Sequence, residues 1–363
     1  MFLIQLVLLY LSAQNAQATM LLPSYARGGL LADIAATPRP SNVDTAGCVE
    51  HNLTVPLDWE NKNNSNDNRT MTIRYWIDDS CRGTTPATDV PIFLQMGGEA
   101  AASCWPCAQV GYWNGGKPQL ATTVSVEHRF YGRSIPKGGL ISSNLPFLTT
   151  PQNLADTAAI AKLVNPNEQR RLLNFGGSYS GATAAWFRIR YPTLTHAAIS
   201  SSGVVNAIVD YVQFDASIVH TLQDYSARMF PSCLNTVTAA MEALDALSET
   251  ELRAIKTHPF NASVFQTDID FLYMVADAIA MSVQYGGKHH LCSLLKNATQ
   301  SETQSETRSN LIATRTPMEA VAHVIPILYG KTFQQGCFYD TQCILHTVYV
   351  VLLLLPFSHS NSQ

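Results

Sequence analysis

The sequence predicts an α/β fold: a mostly parallel sheet followed by an all-helical segment. Three observations predict it. Short apolar runs alternate with helical patterns up to about residue 203, the signature of a sheet with both faces covered. The run Leu172-Leu173-Asn174-Phe175-Gly176-Gly177-Ser178 reads as a strand, a tight turn and a serine at the start of a helix. After about Val205 strand signals almost vanish and helical spacing takes over.

Taken in order, residues 1–18 read as a signal peptide. Phe2–Leu11 is apolar apart from Gln5, and Ala16-Gln17-Ala18 supplies small residues at a cleavage site. The run is too short to span a bilayer. Residues 19–204 form the predicted core. Within it 19–47 are loop-like, and Val49–Val55 and Thr70–Ile77 are the arms of a hairpin with an Asn-rich tip. Pro91–Met96 is a strand running into Gly97-Gly98-Glu99, and Thr123–Val126 a strand ending in Glu127-His128-Arg129. Pro151–Leu163 has helical spacing behind the caps Thr149 and Thr150. The serine helix runs to Tyr191-Pro192, and His196–Ser200 is a further strand. Residues 205–343 read as a helical cap, with helices at Tyr211–Phe230, Thr236–Leu247, Ser248–Lys256, Asp268–Val283 and Pro317–Leu328. Thr299–Asn310 is a polar loop, and 344–363 an apolar tail closed by a polar tag.

Composition excludes several functions. With 46% hydrophobic and 14% charged residues among 363, the chain can bury a substantial core. Its 23 basic and 27 acidic side chains leave a net charge of −4, so no basic field exists to hold nucleic acid. Eight cysteines allow disulfides, and Asn52, Asn63, Asn68, Asn261 and Asn297 each open an N-x-S/T acceptor. With the leader, these point to a secreted or lysosome-like route.

The serine turn carries the chemistry. A nucleophilic serine must be lifted off the sheet, so the chain bends sharply; Gly176 and Gly177 are expected to take the strained dihedrals and allow strand and helix to approach. The helix starting at Ser178 aims its N-terminal NH groups where an oxyanion would form. Ser180 stands where the usual motif has its second glycine, which is delayed to Gly181.

The surrounding residues bear a family resemblance. Val55-Pro56-Leu57-Asp58-Trp59, Phe93-Leu94-Gln95-Met96-Gly97-Gly98-Glu99, Glu127-His128-Arg129-Phe130-Tyr131-Gly132, Gln152-Asn153-Leu154-Ala155-Asp156 and Gly176-Gly177-Ser178-Tyr179-Ser180-Gly181 form five ordered blocks. On these the chain resembles the prolyl carboxypeptidase and thymus-specific serine protease family, secreted or lysosomal serine exopeptidases that favour proline-containing peptides. The resemblance implies an α/β-hydrolase core with an inserted helical cap and no metal or organic cofactor. It implies peptides as partners, with a homodimer as a compatible assembly, and either carboxypeptidase or dipeptidyl peptidase action. Ser178 carries over as nucleophile, with the Tyr179 NH and an NH near Gly98 as oxyanion hole.

The family's triad aspartate and histidine do not carry over. They belong to the last core strands beyond the cap, and residues 344–363 match nothing of the family, so the sequence is expected to be C-terminally truncated. Two alternatives follow: an inactive secreted glycoprotein lacking the triad, with an uncovered sheet edge, and a lipase or esterase built on the same elbow. Asp340 and His346 have the order of an acid and base but are only six apart. Glu127-His128-Arg129 reads as an ion-paired structural turn ahead of a base at His128. Glu99 could hold a substrate amino group or shape the oxyanion loop. Cys104-Trp105-Pro106-Cys107 has redox spacing, yet structural disulfides are the expectation; the pairing pattern stays open.

Overall fold

The computed structural model describes residues 47–60, 68–110, 120–208, 211–228, 230–262, 267–299 and 315–329. Two nine-residue strands, β1 (Cys48–Pro56) and β2 (Thr70–Asp78), pair antiparallel from Cys48 opposite Asp78 to Pro56 opposite Thr70. Alternation in β2 puts Met71, Ile73 and Tyr75 on the buried face. β2 then pairs antiparallel with β4 (Thr122–Val126). β4, β3 (Ile92–Gln95), β5 (Leu172–Gly177) and β6 (Ala197–Ser201) run parallel, giving the order β1-β2-β4-β3-β5-β6. Every residue of β4 is buried, as expected of a central parallel strand.

Helix α1 (Thr150–Val164) precedes β5 and α2 (Ser178–Arg190) follows it. Thr149 caps α1 by accepting the Gln152 NH, and Pro151 sits in the first turn, where no intrahelical NH is lost. Leu154, Ala158, Ile160 and Ala161 of α1, and Ala184 and Phe187 of α2, pack with Ile92, Leu94, Val124 and Leu172 into one apolar core.

The chain divides into two compact units, with Pro40–Val209 in one and Asp210–Val350 in the other. The second holds six described helices: α3 (Val212–Arg228), α4 (Ser232–Asp245), α5 (Glu249–Thr257), α6 (Asp268–Gln284), α7 (Lys288–Thr299) and α8 (Pro317–Tyr329). Their buried stripes include Leu222, Leu244, Phe271, Met274, Leu291 and Val324. Ser248 and Glu251 cap α5 reciprocally, and Thr316 and Glu319 do the same for α8. The sequence reading missed α7, which carries Lys288-His289-His290 before its apolar positions and so hides its period. Among the described residues, no helix is long and apolar enough to cross a membrane.

Candidate active site

The site is built at the C-terminal end of β5. Asn174, fully buried in mid-strand, donates to the Ala184 carbonyl of α2 at 2.7 Å and accepts from the Thr195 hydroxyl at 2.7 Å. A buried amide with both ends satisfied fixes how α2 lies on its strand. At the turn, Ser178 is exposed, is the first residue of α2, and has a φ of 57°. This left-handed backbone costs a side-chain-bearing residue roughly 1–2 kcal/mol, so it persists only where neighbours enforce it.

Here the dihedral half of the expectation for the glycines is corrected. Gly177 has an ordinary extended backbone (φ −120°, ψ 150°), and among the described residues Gly176 is not at positive φ either; the strain sits on Ser178 itself. Gly176 is there for space, as the expected approach of strand and helix requires, whereas a Cβ on Gly177 would meet nothing nearer than the Ser201 carbonyl oxygen at 3.9 Å. A Cβ on Gly176 would run into the Ser180 carbonyl, and one on Gly181 would lie 2.8 Å from the Ser201 carbonyl oxygen and 3.0 Å from Gly203 Cα. Only glycine lets the turn fold under α2 and lets α2 meet the end of β6. Ser180 does more than stay small. Its hydroxyl accepts from the Gly177 NH at 3.1 Å and donates to the Gly177 carbonyl at 2.7 Å, bracing the turn from inside.

The loop after β3 comes to the same place. A Cβ on Gly98 would stand 3.7 Å from Ser180 Cβ, so Gly98 lies against the first turn of α2. Gly97 is pressed against the end of β4, where a Cβ would meet the His128 nitrogen at 2.6 Å. Two disulfides tether this loop's far end: Cys48–Cys104 to the start of β1, and Cys81–Cys107 to the turn after β2. Cys104 and Cys107 therefore do not pair with each other, which removes the redox reading. Cys48, Asp78 and Cys104 cluster, but both sulfurs are bonded to one another and unavailable as thiolates.

Glu127, His128 and Arg129 are all buried. Glu127 and Arg129 are ion-paired as expected, though with different partners. The Arg74 guanidinium holds Glu127, which also accepts from the NH groups of Ala102, Arg133 and Ser134. Arg129 grips Asp156 of α1 with Nε at 2.6 Å and Nη2 at 2.8 Å, and donates to the carbonyls of Leu57 and Phe147. His128 points at the elbow, with Nδ1 2.6 Å from the Arg129 carbonyl and Nε2 3.0 Å from the Tyr179 hydroxyl. A carbonyl only accepts, so Nδ1 carries the proton and Nε2 receives the phenol's. Burial pulls the imidazole down to about 4, keeping it neutral near pH 7. With both nitrogens committed, His128 is no base for Ser178.

The Tyr179 phenol is pushed up by burial, with the nearby Glu99 charge adding to this and the Thr150 hydroxyl opposing it. The Glu99 carboxyl is itself raised by burial. Among the described residues no side chain hydrogen-bonds to Ser178. His196 directly precedes β6 and lies beside the start of β5, where its Nδ1 accepts the Leu172 NH at 3.3 Å, at the opposite end of β5 from the serine. His220, His258, His289, His290 and His323 belong to the helical unit. Asp340, His346 and the last two cysteines, Cys337 and Cys343, lie outside the described residues, as does Asn63. Asn52, Asn68, Asn261 and Asn297 are all exposed.

Strand order and the parallel run of β3–β6, with a strained serine between β5 and α2, define an α/β hydrolase. The serine carboxypeptidase S28 family model matches residues 61–344, and the chain belongs to this family of serine peptidases. The thymus-specific serine protease of Mus musculus is 30% identical over 255 residues, covering 64% of this chain and 48% of that one. The probable serine protease EDA2 of Arabidopsis thaliana is 33% identical over 227 residues, covering 59% and 44%. The lysosomal Pro-X carboxypeptidase of Bos taurus is 33% identical over 153 residues, covering 40% and 30%. The chain thus spans about half the length, or less, of these relatives.

Proposed function

We propose that this chain carries the nucleophile half of a secretory-pathway serine exopeptidase acting on proline-containing peptides. Ser178 attacks the scissile carbonyl, the Tyr179 NH and an NH at Gly98 hold the oxyanion, the C–N bond breaks as the amine leaves with the serine's proton, and water then hydrolyses the acyl-serine to the free acid and the restored hydroxyl. The observation that carries this reading is Ser178 itself, exposed at a φ of 57° on the first turn of α2, with the Gly98 loop beside it. Such backbone strain on a serine, enforced by three close-packed glycines, is what presenting a hydroxyl requires and plain packing does not. The proline preference is supported by the name of the cattle relative, a Pro-X carboxypeptidase. Its lysosomal setting and, among the described residues, three disulfides and four exposed glycan acceptors support the secretory route, with residues 1–18 as leader and 205–343 as a cap.

A second reading, an inactive secreted glycoprotein, is favoured by one observation: no described side chain is bonded to Ser178 to take its proton. A fluorophosphonate probe separates the two. Labelling of the full chain that disappears in Ser178→Ala supports the peptidase; folded, unlabelled protein supports the inactive reading. Proline peptides blocked at either end, set against short-chain esters, then distinguish carboxypeptidase, dipeptidyl peptidase and esterase.

A further inference from the structure

The three buried residues that close β4 each hold a different part of the site. Glu127 reaches the loop after β3 through the Ala102 NH, and Arg129 reaches α1 through Asp156. Between them, His128 reaches the residue immediately after the nucleophile. We propose that His128 is a positioning residue: through the Tyr179 phenol it holds the Ser178–Tyr179 peptide in the elbow geometry that aims the Tyr179 NH at the oxyanion. The catalytic consequence rests on the peptidase reading above; the mechanical claim does not.

The geometry supports this from both ends of the tyrosine. Its backbone is the second residue of α2, directly after a positive-φ serine, a turn with little intrinsic preference for its own shape. Its hydroxyl is fixed by His128 Nε2 at 3.0 Å and by Thr150 Oγ1 at 3.4 Å, at the start of α1. His128 is itself immobile. It is 2% exposed, its Nδ1–H is spent on the Arg129 carbonyl, and the Tyr131 ring stands edge-on to it at 5.1 Å. The imidazole thus presents its one remaining lone pair from a rigid mount, aimed at the phenol of the residue that follows the serine. Ser180 braces the opposite side of the same turn on Gly177. Two anchors, one to β4 and one to β5, flank the strained residue.

The test uses the full chain, with Tyr179→Phe, His128→Phe, His128→Gln and the Phe/Phe double variant. Amides 182–185, which close the first turns of α2, are followed by hydrogen exchange beside the rate of fluorophosphonate labelling. Tyr179→Phe and His128→Phe should each speed exchange of those amides about tenfold and slow the limiting labelling rate by about 10- to 100-fold, with little change in the probe's half-saturation. His128→Gln, which keeps an acceptor near Nε2, should recover most of both. The double variant should match Tyr179→Phe alone, because His128 acts on the turn only through the phenol. Wild-type exchange at 182–185 in both Phe variants, additive effects in the double, or exchange that rises across the whole sheet would each overturn the proposal. Absent labelling of the wild type would sink the peptidase reading alone, with the exchange measurements still deciding the role of His128.

Discussion

On one side of β5, through β3 to β4, the sheet is closed, charged and cross-braced; on the other, β6 is thin and open. β4 is buried at every position, and Glu127 and Arg129 at its end make ion pairs shielded from water. In β6, Ala197, Ile199, Ser200 and Ser201 are exposed, and among the described residues its one strand partner is β5. The loop carrying Gly98, proposed above as an oxyanion donor, belongs to the closed side, while the described residues of the open side offer Ser178 no base. If Ser178 is the nucleophile proposed above, presenting it and activating it are separate constructions. This chain builds the first from buried polar braces.

The largest expected effect comes from breaking the closed side. Arg129→Leu leaves Asp156 buried with only the Trp59 indole, at 2.7 Å, and no cation to balance it. An uncompensated buried charge costs about 3–5 kcal/mol, read as a lower urea midpoint with unchanged slope. Adding Asp156→Leu should restore much of the loss, because two apolar side chains no longer strand a charge. A loss under about 1 kcal/mol in the single variant would mean that water reaches this pair and the flank is less closed than drawn.

The next effect sharpens the same side by pH. The folded-state pKa of His128 is lowered from 6.5 to about 4, so above both values the group is neutral folded or unfolded. As pH falls from 6.5 toward 4 the unfolded chain takes up the proton first, and stability drops. The full shift is worth on the order of 3 kcal/mol. Wild type minus His128→Phe, measured by denaturation at several pH values, should show this slope between pH 6.5 and 4 and flatten outside it. A difference that does not vary with pH would place water at the imidazole.

These sites also mark how far sequence reasoning reached. The strand–turn–serine–helix pattern was legible because strand period, glycines and helix period change within a few residues. The role of each glycine was not. Whether Gly176 serves conformation or clearance depends on where the Ser180 carbonyl lies, which is a matter of tertiary contact. Ser180 looked like a tolerated small residue and proves to brace the turn. Glu127-His128-Arg129 was legible as an ion-paired turn, since adjacent charges at the end of an apolar strand need partners. Its partners Arg74, Asp156 and Tyr179 lie 53, 27 and 51 residues away, and no local pattern names them. The helices after Val212 were mostly legible by period, and the missed α7 was obscured by its basic first turn.

A third prediction tests where the two sides meet. Gly181 packs against the Ser201 carbonyl and Gly203, the seam between α2 and the end of β6. Gly181→Ala pushes backbone against backbone, and with the open side free to yield, the cost should be about 1–3 kcal/mol in a thermal or urea melt. Serine labelling should fall with it, because α2 can retreat only by moving the elbow. A neutral substitution would show that β6 swings away without resistance.

The smallest effect is the most informative about the open side. Ile199 lies opposite Phe175 of β5 and is 40% exposed, whereas Leu94, on the β3 side of the same strand, is 0% exposed. Ile199→Thr keeps the β-branched shape that suits a strand and removes apolar surface that is partly wet already, so its cost should stay within about 0.5 kcal/mol. Leu94→Ala should cost about 2–5 kcal/mol, because it opens a cavity between close-packed strands and helices. The ratio of the two, from urea midpoints under identical conditions, measures the asymmetry directly. If Ile199→Thr costs as much as roughly 2 kcal/mol, the outer face of β6 is covered in solution. The serine would then have a second flank close enough to bring it a base.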